Sequence, residues 1–283
     1  MDSVCATFYE DVVFHIHNLE AVLELSGRWG TVAERHEKKR TVYYFTLTQD
    51  SNTNAWKYRF HTTCLESFSL SELRERKNWR FCQISLFLCE TSTTDSMGKE
   101  VSESDLFSIL LPFVSSRLCR KSRFWLNHKT LSQEDASRIF RQFEGKGQLR
   151  TIDLPYYSEV SERFLKSHVD VGGKGNLQFL NNWPENTKPF LLNYLATANS
   201  TCTSLPSSLK FGTKVLDVVF KRWSSQDDEK YFSIKFSSDL LEEQIRKHCL
   251  FLAGIKENEG KNFELMKLKY SNGLYSLWLN RFP

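Results

Sequence analysis

Gly172, Gly173, Lys174 and Gly175 form the stretch most suggestive of phosphate binding. A loop that wraps phosphates needs the longer Gly-x4-Gly-Lys-Ser/Thr spacing, so that backbone N–H groups and the Lys ammonium surround the anion together. The shorter stretch fits a helix-to-strand loop, where glycine permits the positive φ of a helix end. His15 and His17 stand two apart. On a helix such residues diverge, and two further ligands would be needed to hold a metal. His248 and Cys249 are neighbours in a helical stretch. There they point about 100° apart, which keeps a base from its nucleophile. Glu242 and Glu243, and the run Asp227, Asp228, Glu229, read as solvated acids. Neither Gly-x-Ser-x-Gly nor His-Glu-x-x-His occurs. The sequence therefore assigns no catalytic residue, no metal ligand and no cofactor, and the expectation is a chain that is not an enzyme.

Two clusters combine basic and aromatic residues. One holds Arg74, Arg76, Lys77 and Arg80 around Trp79; the other holds Arg117, Arg120, Lys121 and Arg123 beside Phe124 and Trp125. Cations neutralise phosphates and a flat ring stacks on a base, so contact with RNA is physically open. Against it, 38 Lys+Arg face 34 Asp+Glu, leaving a net charge of only +4. Trp79 and Trp125 also adjoin strand-like runs, where burial is expected. Arg74, Arg76, Lys77, Arg80, Arg120, Lys121 and Arg123 are thus candidates first for contact with an acidic partner protein, or for a solvated rim.

These residues need a scaffold, and the composition supplies one. The chain has 283 residues, 40% hydrophobic and 14% aromatic, with 22 Phe but only 12 Gly and 6 Pro. That is enough apolar material for one long domain or two ordinary ones, and it excludes collagen-like and low-complexity classes. No stretch approaches the roughly 18–20 apolar residues that cross a bilayer, and no basic region precedes an apolar run near Met1. Seven cysteines, at 5, 64, 82, 89, 119, 202 and 249, form no CxxC pair. Their scatter suits reduced, mostly buried thiols. The expected location is cytoplasmic or nuclear, with no membrane partner.

The first 40 or so residues are expected to be helical. Phe8, Val12, Val13, Ile16, Leu19, Val22 and Leu23 recur at three- and four-residue steps and share a stripe. A second helix follows Ser26 and Gly27, with Trp29, Val32 and Ala33 apolar. Thr41–Thr48 and Trp56–Thr63 read as a β-hairpin around the turn-rich Gln49–Asn54. From about residue 80, short apolar strands alternate with amphipathic helices opened by Ser102, Ser132, Ser158 or Ser161, Thr187, and Ser237 or Ser238. Leu149, Leu177, Leu205 and Ile234 recur about every 28 residues, a period that fits stacked modules of one strand and one helix. An ordinary α/β layer has units of similar length and stays open as the alternative.

Phe8 to Val13, then Leu19, Leu23, Leu25, Ser26, Trp29, Val32 and Ala33, closed by the basic Lys38, Lys39 and Arg40, resemble an F-box. The usual Leu-Pro opening is absent; Ala6 and Thr7 stand near its place. Further stretches carry a wider likeness: Leu25, Ser26, Trp29, Val32, His36, Arg40, Tyr43 and Tyr44; then Leu154, Pro155, Tyr156, Tyr157, Val160, Ser161, Glu162, Phe164 and Leu165; then Asn182, Trp183, Pro184, Glu185, Thr187 and Lys188; and last Arg222 with Trp223. In this order they resemble an expanded nematode family of F-box-like proteins over most of the chain.

That resemblance implies an F-box-like helical segment at 1–40, a β-hairpin and linker at 41–78, and a leucine-rich-repeat-like α/β solenoid at 79–283. It implies an F-box-like substrate receptor that links an unknown target protein to a Skp-type adaptor of a cullin ubiquitin ligase. Phe8, Val12, Val13, Leu19, Leu23, Leu25 and Trp29 would touch the adaptor. The alternative is a scaffold subunit of a protein or ribonucleoprotein complex, in which the same helices pack internally.

Overall fold

The computed structural model describes residues 5–16, 18–50, 52–63, 66–92, 98–127, 131–180, 183–225, 231–252, 266–271 and 274–280. The chain divides into two compact units, Met1–Phe143 with Gln148–Arg150, and Glu144–Gly147 with Thr151–Pro283.

The first unit begins with three helices, α1 (Ala6–His15), α2 (Glu20–Leu23) and α3 (Arg28–Lys39). Val13, Leu19, Val32 and Ala33 form a small core among them, with Tyr9, Ile16, Val22, Leu23 and Trp29 packed around it. A core this small contributes only a few kcal/mol, at roughly 1.5–3 kcal/mol per buried side chain, and two polar anchors join α1 to the strands that follow. The Arg40 guanidinium donates to the carbonyls of Val13 and Ile16, both at 3.0 Å, and the Gln83 amide donates to Phe14 O at 2.8 Å. The open carbonyl end of α1 thus meets a cation, the arrangement its dipole favours.

Strands β1 (Thr41–Asp50) and β2 (Trp56–His61) pair antiparallel, with Phe45 opposite Phe60. Trp56, Tyr58 and Phe60 alternate inward, because successive strand side chains face opposite ways. β3 (Ser67–Phe68) continues on β2, and α4 (Leu70–Glu75) opens with a reciprocal cap between Ser69 and Glu72. β4 (Cys82–Ser92) runs parallel to β1, and β5 (Lys99–Val101) adds to β2. A helical stretch follows as α5 (Glu103–Asp105), a π turn and α6 (Leu111–Ser116). β6 (Leu118–Asn127) then runs parallel to β4, and α7 (Gln133–Phe143) closes the unit. Phe45, Phe87, Phe124, Phe140 and Phe143 are buried together; Phe87 stacks on Phe124 at 5.0 Å and meets Phe143 at 4.5 Å.

The second unit carries β7 (Leu149–Leu154) from Thr151 onward, α8 (Glu159–Asp170), β8 (Lys174–Phe179), α9 (Lys188–Thr197), β9 (Asn199–Ser204), α10 (Lys214–Ser225), β10 (Tyr231–Ser237), α11 (Glu242–Leu252), β11 (Met266–Ser271) and β12 (Leu274–Asn280). β7, β8, β9 and β10 are parallel neighbours; β12 pairs antiparallel with β10, and β11 with β12. α8 ends in a turn at Gly172 (φ +67°), and Gly173 N donates to His168 O at 2.9 Å. A Cβ at Gly173 would come within 2.2 Å of the His168 ring, so only glycine fits there. Trp183, 2% exposed, donates its indole N–H to Leu154 O at 3.2 Å.

Among the described residues, twelve strands in parallel and antiparallel pairs replace the expected leucine-rich-repeat-like solenoid behind an F-box-like helical cap. The register explains the correction. Ile152 pairs with Leu177, Leu177 with Thr203, and Thr203 with Ile234. Leu149 is therefore not the counterpart of Leu177, and Leu205 lies beyond the end of β9. The even spacing reflects the common length of strand–helix units in any parallel α/β layer, not a repeated module. Strands of 11 and 10 residues (β4, β6) are also long for one step of a solenoid built on a strand–helix unit of about 28 residues. The N-terminal helices are not a separate cap, since Arg40 and Gln83 tie α1 into the strand framework.

Candidate functional site

Two features of the N-terminal helices gather part of the residues singled out by sequence, and α1 contributes to both. In the first, Phe8 is 50% exposed, and its ring meets Tyr9 and Trp29 edge-on at 6.1 and 6.2 Å. Leu25, in the turn after α2, is also 50% exposed. Val12, Leu23 and Trp29 are half-buried, whereas Val13 and Leu19 lie inside the small helical core. The seven residues expected to touch an adaptor therefore split. Phe8 and Leu25 are the exposed members, Val12, Leu23 and Trp29 are half-buried, and Val13 and Leu19 lie within the core.

The second is a groove of about 730 Å³, bordered by α1 and completed by α3, the 3-10 turn Trp79–Phe81 and the end of α6. Glu10 reaches across from α1 to two basic residues of α3. It is ion-paired with Arg35, and its second oxygen lies 2.7 Å from His36 Nε2. A carboxylate only accepts, so His36 carries its proton on Nε2 and its Nδ1 is a bare acceptor. That Nδ1 is buried and has no hydrogen-bond partner among the described residues. Burial holds the His36 pKa below the ordinary histidine value, with the Glu10 charge and hydrogen bond working against it. The buried imidazole ring meets Phe81 edge-on at 4.9 Å.

Across the groove the lining is cationic and aromatic. Arg117 stands over Phe14 at 5.2 Å and Trp79 at 5.9 Å, and donates to the backbone carbonyl of Arg80 at 2.6 Å. The Arg80 guanidinium lies 5.9 Å from the same indole, and Lys39 Nζ lies 5.5 Å from the Phe81 ring. Of the seven basic candidates, Arg80 alone lines this groove. Arg74 stands over Phe113 at 5.8 Å; Arg76 stacks on Phe68 at 3.7 Å and pairs with Glu66 at 3.5 Å; Lys77 is exposed. Arg120 and Lys121 are exposed where the pairing of β6 with β4 breaks between Ile84 and Leu86. Ser122 fixes that break, donating to Ile84 O at 2.6 Å or Cys119 O at 2.7 Å. Arg123, half-buried, covers Trp125 at 4.6 Å. The seven are therefore not one site. Arg35, Lys39 and Arg117 complete the groove instead, and nothing in the spacing of Glu10, Arg35 and His36 announces that they meet.

The remaining chemistry-bearing residues stay apart. His248 pairs with Asp217 at 2.7 Å, while Cys249 points into the core. Burial pushes the thiols up, to about 11 at Cys82 and about 12 at Cys249, so neither is a ready nucleophile near neutral pH. His17, Asp227, Asp228 and Glu229 lie outside the described residues. No described helix is long and apolar enough to cross a membrane.

No family model matches the chain, and no curated protein does. Among solved structures the chain is similar to a MycE methyltransferase from the mycinamycin biosynthetic pathway in complex with Mg and SAH, in two crystal forms. Identity is 8% in both, over 99% of this chain and 93% of that one, with TM-scores of 0.28 and 0.25. These are structures of an enzyme, and the expectation that the chain is not an enzyme is withdrawn. TM-scores this low carry no argument about fold or chemistry.

Proposed function

We propose that the chain works by binding other proteins, and that Phe8 and Leu25 act together as one apolar edge that docks a Skp-type adaptor. One observation carries this reading. Two large apolar side chains, Phe8 on α1 and Leu25 in the turn after α2, stay half exposed although the small core of these helices is already filled by Val13, Leu19, Val32 and Ala33. Helices that lay an apolar side into a partner's groove use side chains of this kind. The resemblance of the first 40 residues to an F-box supplies the class of partner. A target protein would then be held elsewhere on the chain, as in a substrate receptor. If the edge instead packs inside a larger complex, the chain is a scaffold subunit.

The test is binding of the full-length chain to a purified Skp-type adaptor by calorimetry. The wild type is expected to bind at micromolar or tighter Kd. Replacing both Phe8 and Leu25 with Ser should weaken binding at least tenfold while the circular dichroism spectrum and melting temperature hold. Absence of binding by the folded wild type removes the adaptor reading. Binding that ignores the double substitution moves the contact elsewhere.

A further inference from the structure

We propose that the groove between α1, α3 and the Trp79–Phe81 turn binds a phosphate monoester carried on a flat aromatic ring. Two guanidiniums, Arg80 and Arg117, flank one indole, each 5.9 Å from its centre. The Lys39 ammonium stands over the neighbouring Phe81. None of these three cations has an ion pair among the described residues, although Glu10 of α1 pairs with Arg35, and Glu34 of α3, the helix that carries Lys39, pairs with Lys38. Like charges held around one ring repel, and an oxyanion between them relieves that repulsion. Guanidinium forks suit phosphate oxygens, and Lys39 adds a point charge.

The rest of the lining narrows the ligand. Trp79 and Phe81 are half-buried and keep ring surface open to the groove. A flat ring can lie against them, as bases do on aromatic platforms. Glu10 and Asp11 line the opposite wall, so a polyanionic strand running along the groove would meet like charge. One localised dianion at the Arg80–Arg117 end avoids them. The groove volume of about 730 Å³ falls within the ~300–1,000 Å³ typical of small-ligand sites. Lys39, Arg80 and Arg117 lie outside the Phe8–Leu25 edge, so this site does not depend on adaptor binding.

Calorimetry on the full-length chain at low salt tests the assignment with phenyl phosphate, inorganic phosphate and phenol. Phenyl phosphate is expected to bind at least tenfold more tightly than either half alone, and to weaken as NaCl is raised. Arg117→Gln together with Arg80→Gln should weaken it at least tenfold. If Arg117→Gln impairs folding, Arg80→Gln combined with Lys39→Gln serves, because both side chains are exposed. Arg246→Gln, at an exposed pair with Glu242 in the other unit, should change nothing. Equal binding of phenol and phenyl phosphate, or binding insensitive to the groove substitutions, overturns the proposal. Adenosine monophosphate and N-acetyl-phosphotyrosinamide separate the sources of this chemistry. Tighter binding of either than of inorganic phosphate supports the site, and failure of both overturns it.

Discussion

Each unit places an arginine against an aromatic ring and buries a histidine, yet the surroundings differ. Arg222 of the second unit is 4% exposed, lies 5.0 Å from the Phe232 ring, and donates to Ser200 O at 2.8 Å and Leu195 O at 3.3 Å. Arg117 of the first unit also stands over rings, but it is only half-buried and lines an open groove. His168 is sealed in, with burial alone lowering its pKa to about 4, whereas Glu10 partly offsets the burial of His36. The same residue types thus hold the interior of one unit and line a cleft of the other. What separates the roles is whether backbone carbonyls or an unfilled groove receive the donors.

The largest effect should come from acid. The folded-state pKa of His168 lies below its unfolded value, so the unfolded chain takes up the proton first as pH falls. The stabilising term is fully present above about pH 6.5 and is lost progressively down to about pH 4, where it levels off. At about 1.4 kcal/mol per pH unit the loss reaches roughly 3 kcal/mol. Urea unfolding of the second unit between pH 7 and 4 should show this slope, and His168→Phe should flatten it even if its midpoint at pH 7 is lower. His36 should add a smaller loss in the same direction in the first unit, because Glu10 favours its charged form. Equal slopes in the two units would break the contrast.

Arg222→Met comes next. The substitution keeps much of the volume but leaves the carbonyls of Ser200 and Leu195 without their donor, at a cost of roughly 2–3 kcal/mol. A change below about 0.5 kcal/mol in chemical unfolding would mean that water reaches those carbonyls, and that Arg222 is no more structural than Arg117.

How much of this was legible differs between elements. Ser102 and Ser132 cap helices because each hydroxyl accepts the N–H of an acid three residues on, Asp105 and Asp135, both at 3.0 Å, a local pattern that sequence carries. The alternation of Trp56, Tyr58 and Phe60 likewise fixed the inward face of β2. Register was not legible, because it is set between strands; equal unit lengths made Leu149 and Leu177 look equivalent when Ile152 is the true neighbour. The adaptor set was readable as a stripe, but a stripe does not say which members a helix keeps for its own core. The groove was half visible, through Arg80 and Trp79. Its other half depends on Glu10 meeting Arg35 and His36, and on Arg117 folding back on Arg80, contacts between residues 25 to 37 apart.

Trp29→Ala sharpens the distinction between docking and packing within the first unit. The ring meets Tyr9 at 4.6 Å and is half-buried, so its truncation should cost roughly 1–2 kcal/mol, less than a fully buried aromatic. If adaptor affinity falls further than this stability loss explains, the Phe8–Leu25 edge extends to Trp29. If unfolding accounts for the whole effect, Trp29 only supports the edge.

The smallest effect on stability should come from Arg80→Gln. The side chain is exposed, lacks an ion pair among the described residues, and gains only a weak contact with Trp79 at 5.9 Å. Its removal also relieves repulsion with Arg117, so the net change should stay within about 0.5 kcal/mol of zero. That is the sharpest contrast with Arg222: an arginine beside a ring whose loss the fold hardly registers. Thermal melts in low and high salt check it, and the gap between variant and wild type should narrow as salt screens the Arg80–Arg117 repulsion. A loss above about 1 kcal/mol would place Arg80 in the framework and remove the distinction drawn between the two units.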